Sequence, residues 1–322
     1  MNDRLKKILT TAAKYSYVFI LLLIIIFMSF ATDQFLTTSN ILNVLRQASL
    51  LLIMALGMTM AMILGRGVDM SLGAIVSISS CFAAQFFLRS SSVGEILLGI
   101  LVGLAVGAAC GVLNGLMITY LHLPAMLATY GLREILRGVA YAYMDGNVIT
   151  NINPIISFLG NGKIAGVFPT PVVMAFIFTL ICTYFLKKTK TGRELYLTGS
   201  NPQAARFSGI NVNKTVILGF VLSGVMAAVA GILYVGRLGA AEAEIGNDFH
   251  FQAVSAAAIG GVSFNGGSAK TYGVVAGALI LTLLNNAQNL LQISSAWQGV
   301  IYGTVIIVAV LIDYFVTKQQ TN

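Results

Sequence analysis

The chain has 322 residues, of which 57% are apolar and only 9% are charged, whereas a soluble domain carries roughly 25% charged residues. The 19 lysines and arginines outnumber the 11 acidic residues, but they cluster at the ends of apolar runs, where membrane topology explains them better than nucleic-acid binding does. This composition excludes a secreted domain, a disulfide scaffold and a nucleic-acid-binding protein. It predicts an all-α polytopic protein surrounded by membrane lipid.

Apolar runs separated by short polar segments predict about ten membrane spans in a single transmembrane domain, 1–322. In chain order the spans are 15–31, 44–64, 71–88, 96–121, 124–143, 171–186, 215–235, 251–262, 272–291 and 298–316. The eighth is too short to cross roughly 30 Å of hydrocarbon at about 1.5 Å per residue. It therefore predicts a broken or re-entrant helix.

The basic residues also predict the orientation. Four of them precede the first span, and six more fill the connection after the sixth span, 187–214. Six crossings from a cytosolic start return the chain to the cytosol, so the span count agrees with the positive-inside rule. We expect cytosolic N- and C-termini and an extracytoplasmic segment around Glu242, Glu244 and Asp248.

Glycine recurs at every fourth position of the fourth span, which clears a groove where another helix can approach closely. This pattern predicts a packing surface, although a translocation path lined by backbone is an alternative. The glycines are Gly99, Gly103, Gly107, Gly111 and Gly115.

Two short identities suggest an internal repeat. A shift of 171 residues places Gly65-Arg66 on Gly236-Arg237 and Leu113-Asn114 on Leu284-Asn285. Two similar halves are a common way to build a transporter around a central path, so a two-fold internal repeat is possible.

The connection 187–214 contains signals for a short helix. Asn201 is a good N-cap, Pro202 suits the first helical position, and Gly209 can take the left-handed conformation that ends a helix. A helix of about two turns needs tertiary contacts, so it should lie on the rest of the chain or dock in a groove of another protein. Two small residues, Ala204 and Ala205, would let it enter such a groove. The candidate docking residues are Asn201, Pro202, Gln203, Ala204, Ala205, Arg206, Phe207, Ser208 and Gly209.

Glycines and charges interrupt the apolar pattern at 65–73, where Asp69 could either cap the following helix or mark a path or gate. The glycine-rich segment 258–267 is its counterpart and permits a re-entrant turn. In the fifth span, Glu134 could pair with Arg137 and anchor the helix. The candidate residues of a substrate path are Asp69, Ser71, Asn114 and Asn285.

Catalytic motifs are scarce. His122 and His250 are the only histidines, and no nucleophile turn of the G-x-S-x-G type is present. The segment 160–164 has the wrong glycine spacing for a phosphate-binding loop and no Ser or Thr after its lysine. The sequence therefore predicts a protein that is not an enzyme and holds neither cofactor nor metal, and any ATP must be bound by another chain.

Six motifs together resemble the ribose-type sugar permeases of bacterial ATP-binding-cassette importers, over about residues 35–313. They are GVDMSLG at 67–73, TGR at 191–193, GSNPQAA at 199–205, SGINV at 208–212, IGG at 259–261 and LNN at 284–286. The resemblance implies a permease subunit of the bacterial inner membrane that passes a ribose-like pentose or a hexose to the cytosol. It also implies a second copy or a related permease, a cytosolic ATPase that contacts a coupling helix at 201–209, and an extracytoplasmic sugar-binding protein.

Two segments depart from the resembled pattern. Arg66-Gly67 stands where the family usually has two glycines, and His250-Phe251-Gln252 stands where it usually has Glu-Leu-Asp. These departures bear on which substrate is carried more than on the fold.

Another class stays open, a secondary transporter or channel that acts alone on a small polar solute. Ion-coupled carriers bury several carboxylates or histidines in their spans, whereas Glu134 is almost the only acid in the middle of a span here. A purely structural membrane scaffold would not need the capped helix at 201–209.

Overall fold

The structure is a computed structural model that describes residues 21–294, 297, 299–301, 303, 304 and 307. The start of the first predicted span, 15–20, and most of the tenth, 298–316, therefore lie outside the described residues. The elements are α1 (Leu21–Ala31), α2 (Thr38–Met62), α3 (Leu72–Ala84), α4 (Val93–Thr119), α5 (Ala125–Met144), α6 (Pro154–Asn161), β1 (Lys163–Ile164), β2 (Phe168–Pro169), α7 (Thr170–Lys188), α8 (Lys190–Ser200), α9 (Pro202–Phe207), α10 (Val212–Leu238), α11 (Phe249–Ile259) and α12 (Thr271–Leu290).

The predicted all-α architecture is confirmed. In the described part of the chain, five helices are long and apolar enough to cross a membrane: α2, α4, α7, α10 and α12. Each overlaps one of the predicted spans. The total of about ten spans remains a prediction.

Two of the predicted spans correspond to short helices, α3 and α11. The prediction of a short helix at 251–262 is confirmed, because α11 has 11 residues. The prediction of a full span at 71–88 is wrong, because α3 has only 13 residues and covers about 20 Å. Its start explains the difference: Asp69, Ser71 and Leu72 are all fully buried, so α3 begins inside the protein rather than at its surface.

The helix contacts follow a reciprocal pattern around α2 and α10, which pack on each other. The short helix α3 packs on α4 and α10, while the short helix α11 packs on α12 and α2. The long helix α4 packs on α10, while α12 packs on α2. The same contacts therefore result when α2 is exchanged with α10, α3 with α11 and α4 with α12.

The identities that suggested the repeat do not take equivalent places in this pattern. Gly65-Arg66 follows the end of α2, whereas Gly236-Arg237 lies inside the last turn of α10. The two helices end at Met62 and Leu238, which are 176 residues apart rather than 171.

The glycine groove of α4 is a packing surface, as predicted. A Cβ atom on Gly107 would collide with the carbonyl oxygen of Gly224, and one on Gly111 with that of Phe220. A Cβ atom on Gly115 would collide with the Cα atom of Ile217, while Gly99 and Gly103 face the end of α3 and the residues after it. The glycines thus allow α4 to lie against the backbones of both α3 and α10.

We expect Gly107→Ala to destabilise the protein by about 1–3 kcal/mol, because the added methyl group would force α4 away from α10. The matched control is Gly138→Ala in α5. No atom beyond that helix's own backbone lies within 4 Å of the added Cβ, and the change gains up to about 1 kcal/mol of helix propensity. Thermal unfolding of the purified variants measures both, and equal melting temperatures would contradict the packing assignment.

Candidate functional site

A buried carboxylate joins three segments of the chain. The hydroxyl of Ser71 donates a hydrogen bond of 2.6 Å to Asp69 Oδ1, and the hydroxyl of Ser223 donates one of 2.8 Å to Asp69 Oδ2. The side-chain amide of Asn114 donates to Ser71 Oγ at 2.7 Å. All four side chains are fully buried. Asp69 therefore connects the start of α3 with α4 and α10, where a carboxylate needs such donors to offset the loss of water.

The segment before α3 brings Asp69 to this position. Gly65 and Gly67 have φ angles of 62° and 123°, which L residues rarely adopt, and they turn the chain back into the protein after α2. The backbone N–H of Ser71 then donates to Asp69 Oδ1 at 3.1 Å. The N-cap of α3 is Ser71 rather than Asp69, so Asp69 does not cap the helix as the sequence suggested. Asp69 instead holds the N-cap residue in place and binds Ser223 of α10.

Three of the four predicted path residues meet at this cluster, and the fourth lies elsewhere. Asn285 is half-buried on α12, beside Asn286, which exchanges two hydrogen bonds with Asn40 of α2. Sequence reasoning missed Ser223, because a single serine in an apolar helix gives no signal of a long-range partner.

The charged residues of α5 bind the segment between α10 and α11. Arg137 forms an ion pair with Glu244, and Arg133 donates to the side-chain oxygen of Asn247 at 3.0 Å. The prediction that Glu134 pairs with Arg137 is therefore wrong. The carboxylate of Glu134 instead binds its neighbour Arg133, and the segment 239–248 supplies the acid for Arg137.

The short helix α9 has the predicted ends. Asn201 Oδ1 accepts hydrogen bonds of 3.0 Å from the backbone N–H groups of Gln203 and Ala204, and Pro202 is the first helical residue. Gly209 follows the helix at φ 80°. Local capping therefore forms this helix as the sequence indicated.

The exposure of α9 differs from the prediction at one residue, Ala205. Ala205 is only 3% exposed and belongs to the hydrophobic core, so it cannot enter a groove of another protein. Ala204 is exposed, and Phe207 is 93% exposed at the end of the helix. The expectation that Ala205 enters a groove of another protein is therefore wrong, whereas Ala204 and Phe207 face outward.

Helix α8 connects α9 to the ends of the long helices. Gly199 packs against the carbonyl oxygen of Ile63, and the N–H of Gly267 donates to that oxygen at 2.9 Å. The Tyr196 hydroxyl donates to the carbonyl oxygen of Ala269 at 3.0 Å, and burial raises the pKa of Tyr196 above its ordinary value. The hydroxyl therefore stays protonated at neutral pH and keeps this hydrogen bond.

The two departures from the resembled pattern lie in different surroundings. His250 is buried between α11 and α3, with its ring against Phe251 and close to Gly73. Arg66 is exposed. His250 therefore faces the interior of the protein, whereas Arg66 faces outward.

A family model described as the permease component of branched-chain amino acid transport systems matches residues 40–310. The chain belongs to this permease family. The D-allose transport system permease protein AlsC of Escherichia coli K12 is 34% identical over 307 residues, which cover 95% of this chain and 93% of the relative. The ribose import permease protein RbsC of the same organism is 38% identical over 300 residues, 91% of each chain.

The ribose import permease protein RbsC of Bacillus subtilis 168 is also 38% identical, over 91% of this chain and 90% of the relative. No solved structure matches the chain. These findings confirm the resemblance drawn from the sequence motifs. Together with the five apolar helices, they make this permease a multi-pass membrane protein and a transport subunit.

We expect Ser223→Ala to destabilise the permease by about 1–3 kcal/mol, because it leaves Asp69 Oδ2 buried without this donor. Ser90→Ala, the same change at an exposed position, should alter stability by less than about 0.5 kcal/mol. Thermal unfolding and abundance in the membrane measure the difference. Equal stability of the two variants would mean that the bond between Ser223 and Asp69 contributes nothing.

Proposed function

We propose that this permease is a subunit of an ATP-driven importer and passes a monosaccharide, a ribose-like pentose or a hexose, into the cytosol. The observation that carries the proposal is the 38% identity to the ribose import permeases of two distant bacteria over about nine-tenths of the chain. The 34% identity to the D-allose permease widens the substrate class to hexoses. An extracytoplasmic binding protein delivers the sugar.

We further propose that α9 is the coupling helix and binds a cytosolic ATPase. A phenylalanine that is 93% exposed next to the basic side chain of Arg206 supports this, because an aromatic side chain of this size gains most when a partner removes it from water. Ala204 beside it is small and exposed, which leaves room for close approach. The permease itself has no phosphate-binding loop, so the ATPase is a separate chain.

The contacts of α8 supply a route for the coupling. A push on α9 moves α8, and Gly199 of α8 packs directly against Ile63 at the end of α2. Ile63 begins the segment that leads to Asp69, which in turn binds α4 and α10. Closure of the ATPase therefore reaches the centre of the helix bundle through packed backbone rather than through a flexible link.

We propose an orientation in the bacterial inner membrane with about ten spans and with both termini and segment 187–214 in the cytosol. The basic residues of that segment support this orientation.

The reciprocal contacts of α2–α4 and α10–α12 favour a two-fold internal repeat, and a second copy or a related permease completes the transport unit. The cytosolic placement of segment 187–214 can be tested with Gln203→Cys, since Gln203 is exposed. This cysteine should react with an impermeant thiol reagent only in opened cells.

Replacing Phe207 with Ala should weaken ATPase binding by about 2 kcal/mol, roughly 30-fold, if this side chain anchors the partner. Phe168→Ala is the matched control, since Phe168 is also exposed but lies in β2, outside the coupling segment. Recovery of the ATPase with the purified permease and sugar uptake in cells measure the effect. Normal uptake and ATPase recovery with Phe207→Ala would contradict the assignment of α9.

A further inference from the structure

Helix α5 has the length of a membrane span but differs from the five apolar candidates by three charges in its middle. One of its faces packs on α3 and α4 and is apolar apart from one threonine. The buried residues are Ala125, Ala128, Thr129, Leu132, Leu136, Ala140 and Met144. The opposite face of the helix is exposed.

That exposed face is mixed. Leu127, Ile135 and Val139 are apolar and exposed, whereas the middle of the face carries charges and two glycines. The side chain of Glu134 is 44% exposed, and the ion pair of Arg137 with Glu244 is exposed to a similar degree. Tyr130 lies beside them with its ring under the guanidinium of Arg133. Gly131 and Gly138 have open space in front of them, since no atom beyond the helix's own backbone lies within 4 Å of an added Cβ.

The exposed faces of α4 and α7 have a different composition. Between residues 97 and 116 of α4, every exposed residue is Leu, Val or Ala, and those of α7 between 176 and 184 are Phe, Ile, Leu and Tyr. Such faces suit contact with lipid. A charged face in the middle of a span does not, because removing carboxylates and guanidinium groups from water costs several kcal/mol. The part of the exposed face of α5 around Glu134 and Arg137 therefore borders water.

The charges on this face compensate one another within the chain. Arg133 binds Glu134, and Arg137 binds Glu244, so two positive charges meet two negative ones. An ion would find no uncompensated charge here. A neutral solute rich in hydroxyl groups would find both acceptors and donors, because each ion pair leaves further oxygens and N–H groups available.

We propose that the exposed face of α5 is the wall of the sugar path and that Tyr130, Glu134 and Arg137 contact the sugar as it passes. This inference rests on the proposed function and deepens it. Carboxylate and guanidinium groups bind adjacent hydroxyls of a sugar, and the flat ring of Tyr130 packs against its C–H groups. The open glycines leave the width that a monosaccharide ring requires.

Segment 239–248 binds α5 through Glu244 and Asn247. On the opposite, buried face of α5, the hydroxyl of Thr129 accepts a hydrogen bond of 3.0 Å from the backbone N–H of Met70, next to Asp69. The movement that we assign to the segment before α3 would therefore also reach α5.

Cysteine labelling of the complete importer in membrane vesicles tests the exposure. Gly131→Cys and Gly138→Cys should react with a negatively charged methanethiosulfonate at least about ten-fold faster than Leu101→Cys and Phe176→Cys, which occupy the apolar faces. Reaction should block sugar uptake at 131 and 138 only. The native cysteines Cys81, Cys110 and Cys182 are buried and set a low background.

Slow reaction at both glycine positions would overturn the proposal. If oxidation of these variants then gave disulfide-linked permease dimers, a second copy of the permease would be what covers the exposed face of α5. Uptake of each variant is measured before labelling. A variant that transports sugar but does not react contradicts only the role of α5. Absence of uptake by the unaltered importer would instead contradict the proposed function.

A second pair of variants tests the contact with the sugar. Glu134→Gln should lower uptake by about ten-fold and change the relative rates for D-ribose, D-allose and D-galactose, because it alters one acceptor on the wall. Glu242→Gln makes the same change at an exposed position in segment 239–248 and should change neither. Abundance of the permease is measured in parallel. Unchanged rates, or an equal loss for all three sugars that follows abundance, would overturn the assignment of Glu134.

Discussion

The buried carboxylate of Asp69 is the constraint around which the permease is arranged. An ionised or hydrogen-bonded carboxyl group inside a helix bundle needs donors, and Ser71, Ser223 and Asn114 satisfy it from three different segments. These hydrogen bonds determine where α3 begins and how it packs on α4 and α10. The glycine contacts between α4 and α10 are a second requirement of the same arrangement, because the two helices must lie close for their polar side chains to reach one carboxylate.

Other polar side chains of the described bundle also join separate segments. Asn40 and Asn286 bind each other, and Glu244 binds Arg137. On the exposed face of α5, paired charges reach the surface. That face and the α9 surface with Phe207 lie on different elements, which suits a subunit that receives a solute at one place and mechanical force at another.

The sequence predicted those features of the fold that depend on residues close together in the chain. The caps of α9 and the position of the long apolar helices depend on residues a few positions apart, and the structure has them as predicted. The length of α3 and the partner of Arg137 depend on segments far away in the chain. Hydropathy could not separate a buried helix of 13 residues from a span, and helical spacing favoured Glu134 although Glu244 was the partner. The inward orientation of Ala205 was likewise decided by contacts of α9 that its composition did not encode.

Reconstitution into liposomes tests the central claim most directly. The permease, its ATPase and a sugar-binding protein are combined, and the accumulation of D-ribose, D-allose and D-galactose is measured with and without ATP on the side that carries α9. We expect accumulation of one of these sugars above its external concentration only when ATP and all three proteins are present. Accumulation by the permease alone, driven by an ion gradient, would contradict it.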